Sequence, residues 1–270
     1  MSPTPIVTAS PLAPGTVLGR MGPLELRLAR DDADIAAAQR LRHAVFVMEG
    51  GAVPAAPTAD GRERDRFDAA CDHLVVAHGD DIVGTYRLML GERAERTGHY
   101  SAGEFDVAAL VARHPARRFV ELGRSCVHPD WRESRAIRLL WQGAWGYALR
   151  SGADVMFGCA SFPGTDPASH ARALAYLAAH AVVPPEWDVA PATGTTAITL
   201  EPGTAPPDRA GGLRLLPPLL KGYVRLGGRV ASRMVVDPHF GCIDAMIVLP
   251  REWIAPRYIR HFGEEANRYA

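Results

Sequence analysis

The chain has 270 residues, of which 47% are hydrophobic and 22% charged, and its formal net charge is zero. This composition excludes an intrinsically disordered protein, and the balanced charge predicts no general attraction to nucleic acid, so no nucleic-acid partner is expected. Lys221 is the single lysine among 30 basic residues and follows no glycine-rich loop, which excludes a Walker-type phosphate site.

In the first half of the chain, the hydrophobic patterns predict a strand at 24–30, a helix at 31–51 capped by Asp31 or Asp32, a hairpin at 73–90 and a strand at 119–127. In the second half they predict a helix at 134–150 capped by Ser134, a strand at 153–162, a helix at 166–180, a short strand at 196–200, a helical segment at 215–230 and a strand at 242–250. This order predicts an α/β protein with a mixed central sheet flanked by helices. We expect one domain at residues 24–265 after a disordered N-terminal extension at residues 1–23.

The cysteines are far apart and include no C-x-x-C pair. They are typical of reduced thiols in a cytoplasmic protein, and without an H-E-x-x-H motif the sequence predicts no metal site. The first 23 residues lack the basic start and apolar core of a signal peptide. No apolar run reaches the roughly 18 residues that a membrane-spanning helix needs. We therefore expect a cytoplasmic protein, with peripheral contact to the inner membrane as an open alternative.

The predicted strand at 119–127 contains two charged residues, Glu121 and Arg124, within an apolar run. Strands buried on both faces are usually continuously hydrophobic, so each charge needs a partner or a function. Residues three apart on a regular strand lie on opposite faces, which predicts different neighbours for the two side chains. Spacing alone leaves two interpretations open, a ligand-binding cleft and structural ion pairs with other residues.

Several segments, found in order between residues 24 and 263, resemble one family. They are "LRHAVFVMEGG" (41–51), "FDAACDHLVV" (67–76), "VGTYRLM" (83–89), "YSAGEFD" (100–106), "ELGRSCVHPDWR" (121–132), "DVMFGCASFPGTDP" (154–167), "LPPLLKGYVRLGG" (216–228), "VVDPHFGCIDAMIVLP" (235–250) and "RYIRHFG" (257–263). Together they are similar to the bacterial ornithine acyl-carrier-protein N-acyltransferases, which belong to the GNAT superfamily. A more distant resemblance, through "LRHAVF", is to the acyl-homoserine-lactone synthases.

The resemblance implies a GNAT fold whose central strands separate to admit a pantetheine arm. It also implies transfer of a 3-hydroxyacyl chain from acyl carrier protein to the α-amino group of L-ornithine, giving lyso-ornithine lipid. No cofactor is expected, since the phosphopantetheine arrives on the carrier protein. "RESRAI" (132–137) lacks the glycines with which acetyl-CoA-dependent members bind a pyrophosphate, which favours a carrier-protein donor over CoA.

Matching motifs imply roles for individual residues. Glu121 is the candidate general base for the acceptor amine, and Arg124 is the candidate anchor for a carboxylate or phosphate; a structural role for Glu121 stays open. The remaining candidates are Arg42, Phe46, Asp68, Asp72, Arg87 and Asp237 for substrate binding, and Arg132 and Arg135 for carrier-protein or pantetheine binding.

Two alternatives to this function remain. The first is a related N-acyltransferase that uses another amine or acyl-CoA, and the second is a non-catalytic relative that binds an acyl carrier protein or lipid. A separate hypothesis concerns location: the leucines of "LPPLLKGYVRLGG" could touch a membrane surface, provided that they are not buried in the core.

Overall fold

The computed structural model describes residues 12–53, 60–132 and 135–255, and the strands in these ranges form one sheet. They are β1 (Val17–Met21), β2 (Leu24–Leu28), β3 (Asp72–His78), β4 (Asp81–Leu90), β5 (Phe119–Val127), β6 (Val155–Pro163), β7 (Thr196–Thr199), β8 (Arg229–Val230), β9 (Arg233–Asp237) and β10 (Cys242–Pro250). Their order is β1-β2-β3-β4-β5-β6-β10-β9-β7, and β8 pairs with β10. Among these strands β5 and β6 alone pair in parallel, so the sheet is mixed.

Seven α-helices in the described ranges connect or cover the strands. They are α1 (Asp32–Arg42), α2 (Gly91–Thr97), α3 (Val107–Arg113), α4 (Arg135–Ser151), α5 (Ala171–His180), α6 (Arg209–Leu215) and α7 (Pro218–Leu226). A π-helical segment, His43–Glu49, continues α1. Such segments are rare and occur frequently at functional sites.

The two faces of the sheet differ in chemistry. On β4, Tyr86, Leu88 and Leu90 belong to the apolar core that α4 covers, whereas the intervening Arg87 is buried among charged side chains. Successive residues of a strand alternate between faces. At β4, one face of the sheet therefore contributes to the main hydrophobic core and the opposite face holds buried charge. Elsewhere on that opposite face lies a second apolar cluster, which includes Phe119, Phe157 and Met246.

The predicted fold class, an α/β architecture with a mixed central sheet flanked by helices, is confirmed. The predicted helix 31–51 divides into α1 and the π-helical segment, and Asp31 caps α1 by accepting a hydrogen bond from the Asp34 amide at 3.0 Å. The structure corrects the predicted start of the domain at residue 24, because β1 begins at Val17 and pairs with β2. The sequence around this short strand, "TVLGRM", has too little alternation to indicate it. Residues 1–11, 256–265 and Ser134 lie outside the described residues.

The segment proposed for membrane contact belongs to the core. Leu216, Leu220 and Tyr223 are buried within the main hydrophobic cluster, and Leu219 packs against it. Since the exposed apolar face that interfacial binding requires is used for packing, that hypothesis is wrong for this segment. Within the described ranges, no helix combines the length and apolar character needed to cross a bilayer.

A Gly158→Ala substitution tests the close contact between β5 and β6. A Cβ atom at Gly158 would lie 2.1 Å from the Leu122 carbonyl oxygen, and the backbone there has φ +153°. We expect the free energy of unfolding to fall by about 3 kcal/mol, measured by urea denaturation. The matched control is Gly91→Ala, whose Cβ would meet its nearest atom at 3.6 Å; equal stability of the two variants would contradict the prediction.

Candidate active site

A β-bulge in the centre of the sheet marks the candidate active site. In the pairing of β4 with β5, Thr85 lies opposite Cys126 and Arg87 opposite Gly123, so Arg124 and Ser125 share one partner position. Arg124 has φ 54° and is the sole non-glycine residue with positive φ among the described residues. Bulges and strained backbone of this kind are concentrated at functional sites.

The parallel pairing of β5 with β6 ends close to the bulge. Its register runs from Phe119 opposite Val155 to Glu121 opposite Phe157, although β5 continues to Val127 and β6 to Pro163. Beyond Glu121 and Phe157 the two strands no longer pair with each other, although β5 stays paired with β4 and β6 with β10. This matches the separation of central strands that the family resemblance implies for the entry of a pantetheine arm.

Two cavities flank this bulge. The larger has a volume of about 760 Å³ and a lining that includes Arg124, Tyr100, Glu104, Asp237 and Phe240. The smaller, of about 380 Å³, is mainly apolar, and its lining side chains include Phe46, Cys126, Ile137, Leu140, Trp141 and Leu219. Arg124 lines the larger cavity while the next residue, Ser125, lines the smaller. We call them the charged cavity and the apolar cavity.

Arg124 is held between two aromatic rings. Its guanidinium carbon lies 4.3 Å from the ring centre of Tyr100 and 4.4 Å from that of Phe240. The Nε atom donates to Glu63 at 3.1 Å and Nη1 donates to the Tyr100 hydroxyl at 2.6 Å. Among the described residues Nη2 has no hydrogen-bond partner. It forms an ion pair with Asp65, whose Oδ2 atom lies 3.6 Å away. The guanidinium therefore retains donors beside the charged cavity.

Arg42 and Arg87, both predicted substrate ligands, lie behind the cavity wall. The Arg42 side chain is fully buried and binds Glu63 at 2.6 Å and Asp68 at 2.8 Å, and Arg87 binds Asp65 at 2.6 Å. These contacts hold the segment that supplies Glu63 and Asp65 to the cavity lining. The geometry favours a supporting role for both arginines over direct substrate binding.

Asp68, another predicted ligand, belongs to the same buried network. It accepts hydrogen bonds from Arg42 and Gln39. Burial alone would raise the pKa of its carboxyl, but the Arg42 hydrogen bonds and the charges of Arg42 and Arg87 hold that pKa well below its usual range. Asp68 is therefore a structural anion that pairs two arginines, and it does not line either cavity.

The structure places Glu121 away from both cavities. Its carboxylate accepts hydrogen bonds from the backbone amides of Tyr100 and Ser101 at 2.9 and 2.7 Å and from the Ser101 hydroxyl at 2.5 Å. His99 Nδ1 lies 3.2 Å from it. Burial would raise the pKa of Glu121, but the contacts with His99 and Ser101 outweigh it and lower the pKa. This geometry favours a structural role over the predicted general base.

Other predicted residues are divided between the two cavities and the rest of the fold. Asp237 lines the charged cavity and accepts from the His239 amide at 2.7 Å. Phe46 lines the apolar cavity and makes an edge contact with Phe240 at 6.0 Å. Asp72 is the exception, since Arg93 and Tyr147 bind it at 2.8 and 2.5 Å outside both cavities.

The two arginines predicted to bind the carrier protein lie near the start of α4. Arg132 lines the apolar cavity and forms a two-point ion pair with Glu49 at 2.5 and 2.6 Å. Arg135 is exposed, begins α4 and lines neither cavity. Arg132 therefore lies at the apolar cavity with its guanidinium paired to Glu49, and its role in carrier-protein binding stays a prediction.

Glu104 and Asp244 form an acidic group that the sequence interpretation missed. Glu104 lines the charged cavity, and burial, together with the charges of Asp244 and Asp237, raises its pKa to about 9. Burial also raises the pKa of Asp244, which accepts from the Ser161 hydroxyl. A signal was present, because Asp244 is an acid inside the apolar run "CIDAMIVLP", the same anomaly that identified Glu121.

Donor atoms of Glu104, Cys159 and Asp244 lie within 4.8 Å of one another, as do those of Asp237, Cys242 and Asp244. Burial raises the pKa of both thiols well above the usual range, whereas a thiol ligates a metal as thiolate. The absence of a resident metal stays a prediction.

The family model and the relatives that match this chain are all described as acetyltransferases or acyltransferases. Residues 41–142 match the family model described as an acetyltransferase (GNAT) domain. The chain is 49% identical to L-ornithine N(alpha)-acyltransferase of Rhizobium meliloti over 266 residues, which cover 94% of this chain and 89% of the relative. It is 39% identical to the protein of the same name from Rhodobacter capsulatus over 243 residues, 87% of this chain and 92% of the relative.

Among solved structures, FeeM, an N-acyl amino acid synthase from uncultured soil microbes, aligns over 87% of this chain and 94% of its own with a TM-score of 0.51. Sequence identity to FeeM is 12%, so this likeness concerns the fold alone. The identities to the proteins from Rhizobium meliloti and Rhodobacter capsulatus, 49% and 39%, are far higher and extend over nearly the whole of each chain. The protein belongs to the L-ornithine N(alpha)-acyltransferase family, whose members are acyltransferases with a GNAT domain.

Proposed function

We propose that this protein transfers an acyl chain from the thioester of an acyl carrier protein to the α-amino group of L-ornithine, giving lyso-ornithine lipid. The observation that carries the proposal is the position of the bulge between a charged and an apolar cavity, with Arg124 lining the first and the adjacent Ser125 lining the second. An amino acid and an acyl thioester have these two chemistries, and they must meet at one carbon atom.

The acceptor's carboxylate is expected at Arg124. The free Nη2 donors of this guanidinium border the charged cavity, and charge-assisted hydrogen bonds to a carboxylate are among the stronger ones in proteins. The rings of Tyr100 and Phe240 fix the plane of the guanidinium. An amino acid bound in this way is oriented by its α-carboxylate, which places its α-amine beside the bulge.

The acceptor's side-chain ammonium is expected at the acidic wall, where Glu104 and Asp237 line the charged cavity and the buried Asp244 lies beside Glu104. Desolvation and mutual repulsion disfavour the charged forms of Glu104 and Asp244. A bound ammonium would offset that repulsion and favour the carboxylates. This complementarity supports an acceptor with a cationic side chain, such as the L-ornithine for which the relatives are named.

The donor's acyl chain and pantetheine are expected in the apolar cavity. Its aliphatic and aromatic lining suits an acyl chain, and Arg132 at that cavity can meet the single phosphate of a carrier-protein arm. Cys126 also lines this cavity, but burial raises the pKa of its thiol to about 12. A thiol that remains protonated is a poor nucleophile, which favours direct transfer over an acyl-enzyme.

Direct transfer requires the neutral α-amine, so the ammonium first gives up one proton to solvent. The amine nitrogen then attacks the thioester carbonyl, and the new C–N bond forms as the C–S bond breaks. The nitrogen loses a second proton as the amide forms, which balances the proton that the leaving thiolate takes up. The chain's own contribution is to orient the acceptor at Arg124, to separate acyl chain and amino acid between two cavities, and to bring them together at the bulge.

The first test is a donor and acceptor panel with purified protein. We expect N-acyl-ornithine, detected by mass spectrometry, from 3-hydroxyacyl carrier protein, and much less product from lysine or from norvaline, which has ornithine's carbon skeleton without the side-chain amine. Product with another amine or only with acyl-CoA would replace the acceptor or the donor in the proposal. No product with any pair would favour a non-catalytic carrier-protein or lipid-binding role.

The pH dependence of ornithine binding tests the acidic wall. Because the pKa of Glu104 is raised to about 9, binding an ammonium below that pH must displace a proton. Affinity should therefore rise between pH 7 and pH 9, by at most about tenfold per pH unit, with proton release measurable by calorimetry in buffers of different ionisation enthalpy.

Two controls separate this effect from titration of the ligand. The Glu104→Gln variant should bind ornithine more weakly, with a flatter pH dependence, and norvaline binding to the wild type should release no proton at the wall. An exposed acid distant from the cavity, changed in Asp208→Asn, should leave both curves unaltered. Equal affinity for ornithine and norvaline across the pH range would contradict the assignment.

A further inference from the structure

We propose that Glu121 is a positioning residue that fixes the turn at residues 99–101, so that Tyr100 holds Arg124 in the orientation that binds the acceptor. The inference rests on the proposed function. It assigns Glu121 an effect on acceptor binding and removes it from proton transfer. Glu121 acts on Arg124 in three steps: through the groups that Glu121 binds, through the contact of Tyr100 with Arg124, and through the bulge.

The first step is the complete use of the Glu121 carboxylate. Oε1 accepts from the Ser101 amide and hydroxyl, and Oε2 accepts from the Tyr100 amide and lies within hydrogen-bond distance of His99 Nδ1. The side chain is buried, with 4% exposed. Any movement toward a substrate would leave two buried backbone N–H groups unpaired, which is costly.

The second step is the connection through Tyr100. Its backbone amide binds Glu121, and its side chain contacts Arg124 twice, by the hydroxyl at 2.6 Å and by the ring at 4.3 Å. A further edge contact with Phe67, 5.6 Å between ring centres, limits rotation of the Tyr100 ring. The position of the Tyr100 backbone therefore determines where the guanidinium can stand.

The third step is the bulge. On a regular strand Glu121 and Arg124 would lie on opposite faces. The extra residue at Arg124 and Ser125 shifts the register and brings the Arg124 side chain to the face where Glu121 meets the 99–101 turn. One residue, Tyr100, can then contact both side chains.

The experiment compares Glu121→Gln, Tyr100→Phe and the double variant in steady-state assays with ornithine and acyl carrier protein. Glutamine keeps the shape but places an amide N–H₂ group against the donors, and phenylalanine removes only the hydroxyl. We expect each single variant to raise KM for ornithine about tenfold, with kcat and KM for the donor changed about threefold or less. The double variant should be no worse than the more impaired single variant, since both changes interrupt one connection.

A general base would behave differently. In that case Glu121→Gln would lower kcat about 100-fold or more and abolish the acidic limb of the pH profile, with KM for ornithine unchanged; this result would overturn the proposal. An unchanged KM for ornithine in Tyr100→Phe would also overturn it, because the connection to Arg124 would not operate.

Folding is controlled with Asp34→Asn, which alters another buried carboxylate that binds two arginines, Arg27 and Arg30, away from both cavities. This variant should lose thermal stability without a selective change in KM for ornithine. Hydrogen exchange of the backbone at residues 99–105 gives a readout that does not require turnover, and it should accelerate in Glu121→Gln while the rest of the sheet stays protected. A wild type inactive with ornithine would defeat the proposed function, and unchanged exchange at 99–105 would separately defeat the positioning role.

Discussion

One extra residue in β5 decides where the charged side chains of the central strand point. Opposite a single residue of β4, the chain accommodates both Arg124 and Ser125, and Arg124 takes a backbone conformation with φ 54°. The cost of such a conformation, of order 1–3 kcal/mol, is opposed by what Arg124 gains there: two ring faces and hydrogen bonds to Glu63 and Tyr100. Since the bulge also separates the two cavities, the same local irregularity places the anion-binding group and divides donor from acceptor.

Buried charge of opposite sign makes that arrangement stable. Removing an ion from water costs several kcal/mol, and the cost is offset when partners with good geometry surround the ion. In and behind the wall of the charged cavity, Arg42, Arg87 and Arg124 face Glu63, Asp65 and Asp68 at the distances of direct ion pairs. These contacts explain why three arginines can be almost completely buried. They also fix the segment around residues 63–68, which has no long helix or strand of its own, as one wall of the cavity.

Much of the fold and part of the site could be predicted from the sequence. Hydrophobic periodicity located β5, β10 and α4 because each has a long, regular pattern, and an unexplained charge in an apolar strand identified Glu121 and Arg124 as informative. The relation between these two residues could not be predicted, because alternation assumes a regular strand and a bulge reverses the face of every residue beyond it. Pairwise partners were equally hidden: nothing in the spacing shows that Arg42 meets Glu63, or that Glu104 from one motif meets Asp244 from another.

The charges of the two walls of the charged cavity are stabilised in different ways when no acceptor is bound. The arginine wall is paired within the protein, so it keeps its charge and shape whether or not an acceptor is bound. At the acidic wall no cationic side chain of the described residues forms an ion pair with Glu104 or Asp244, and protons stabilise the cluster instead. An acceptor without a side-chain ammonium therefore leaves neutral carboxyls at low pH and mutually repelling carboxylates at high pH. On the proposed function, discrimination in favour of ornithine should widen as pH rises, until the side-chain amine itself loses its proton.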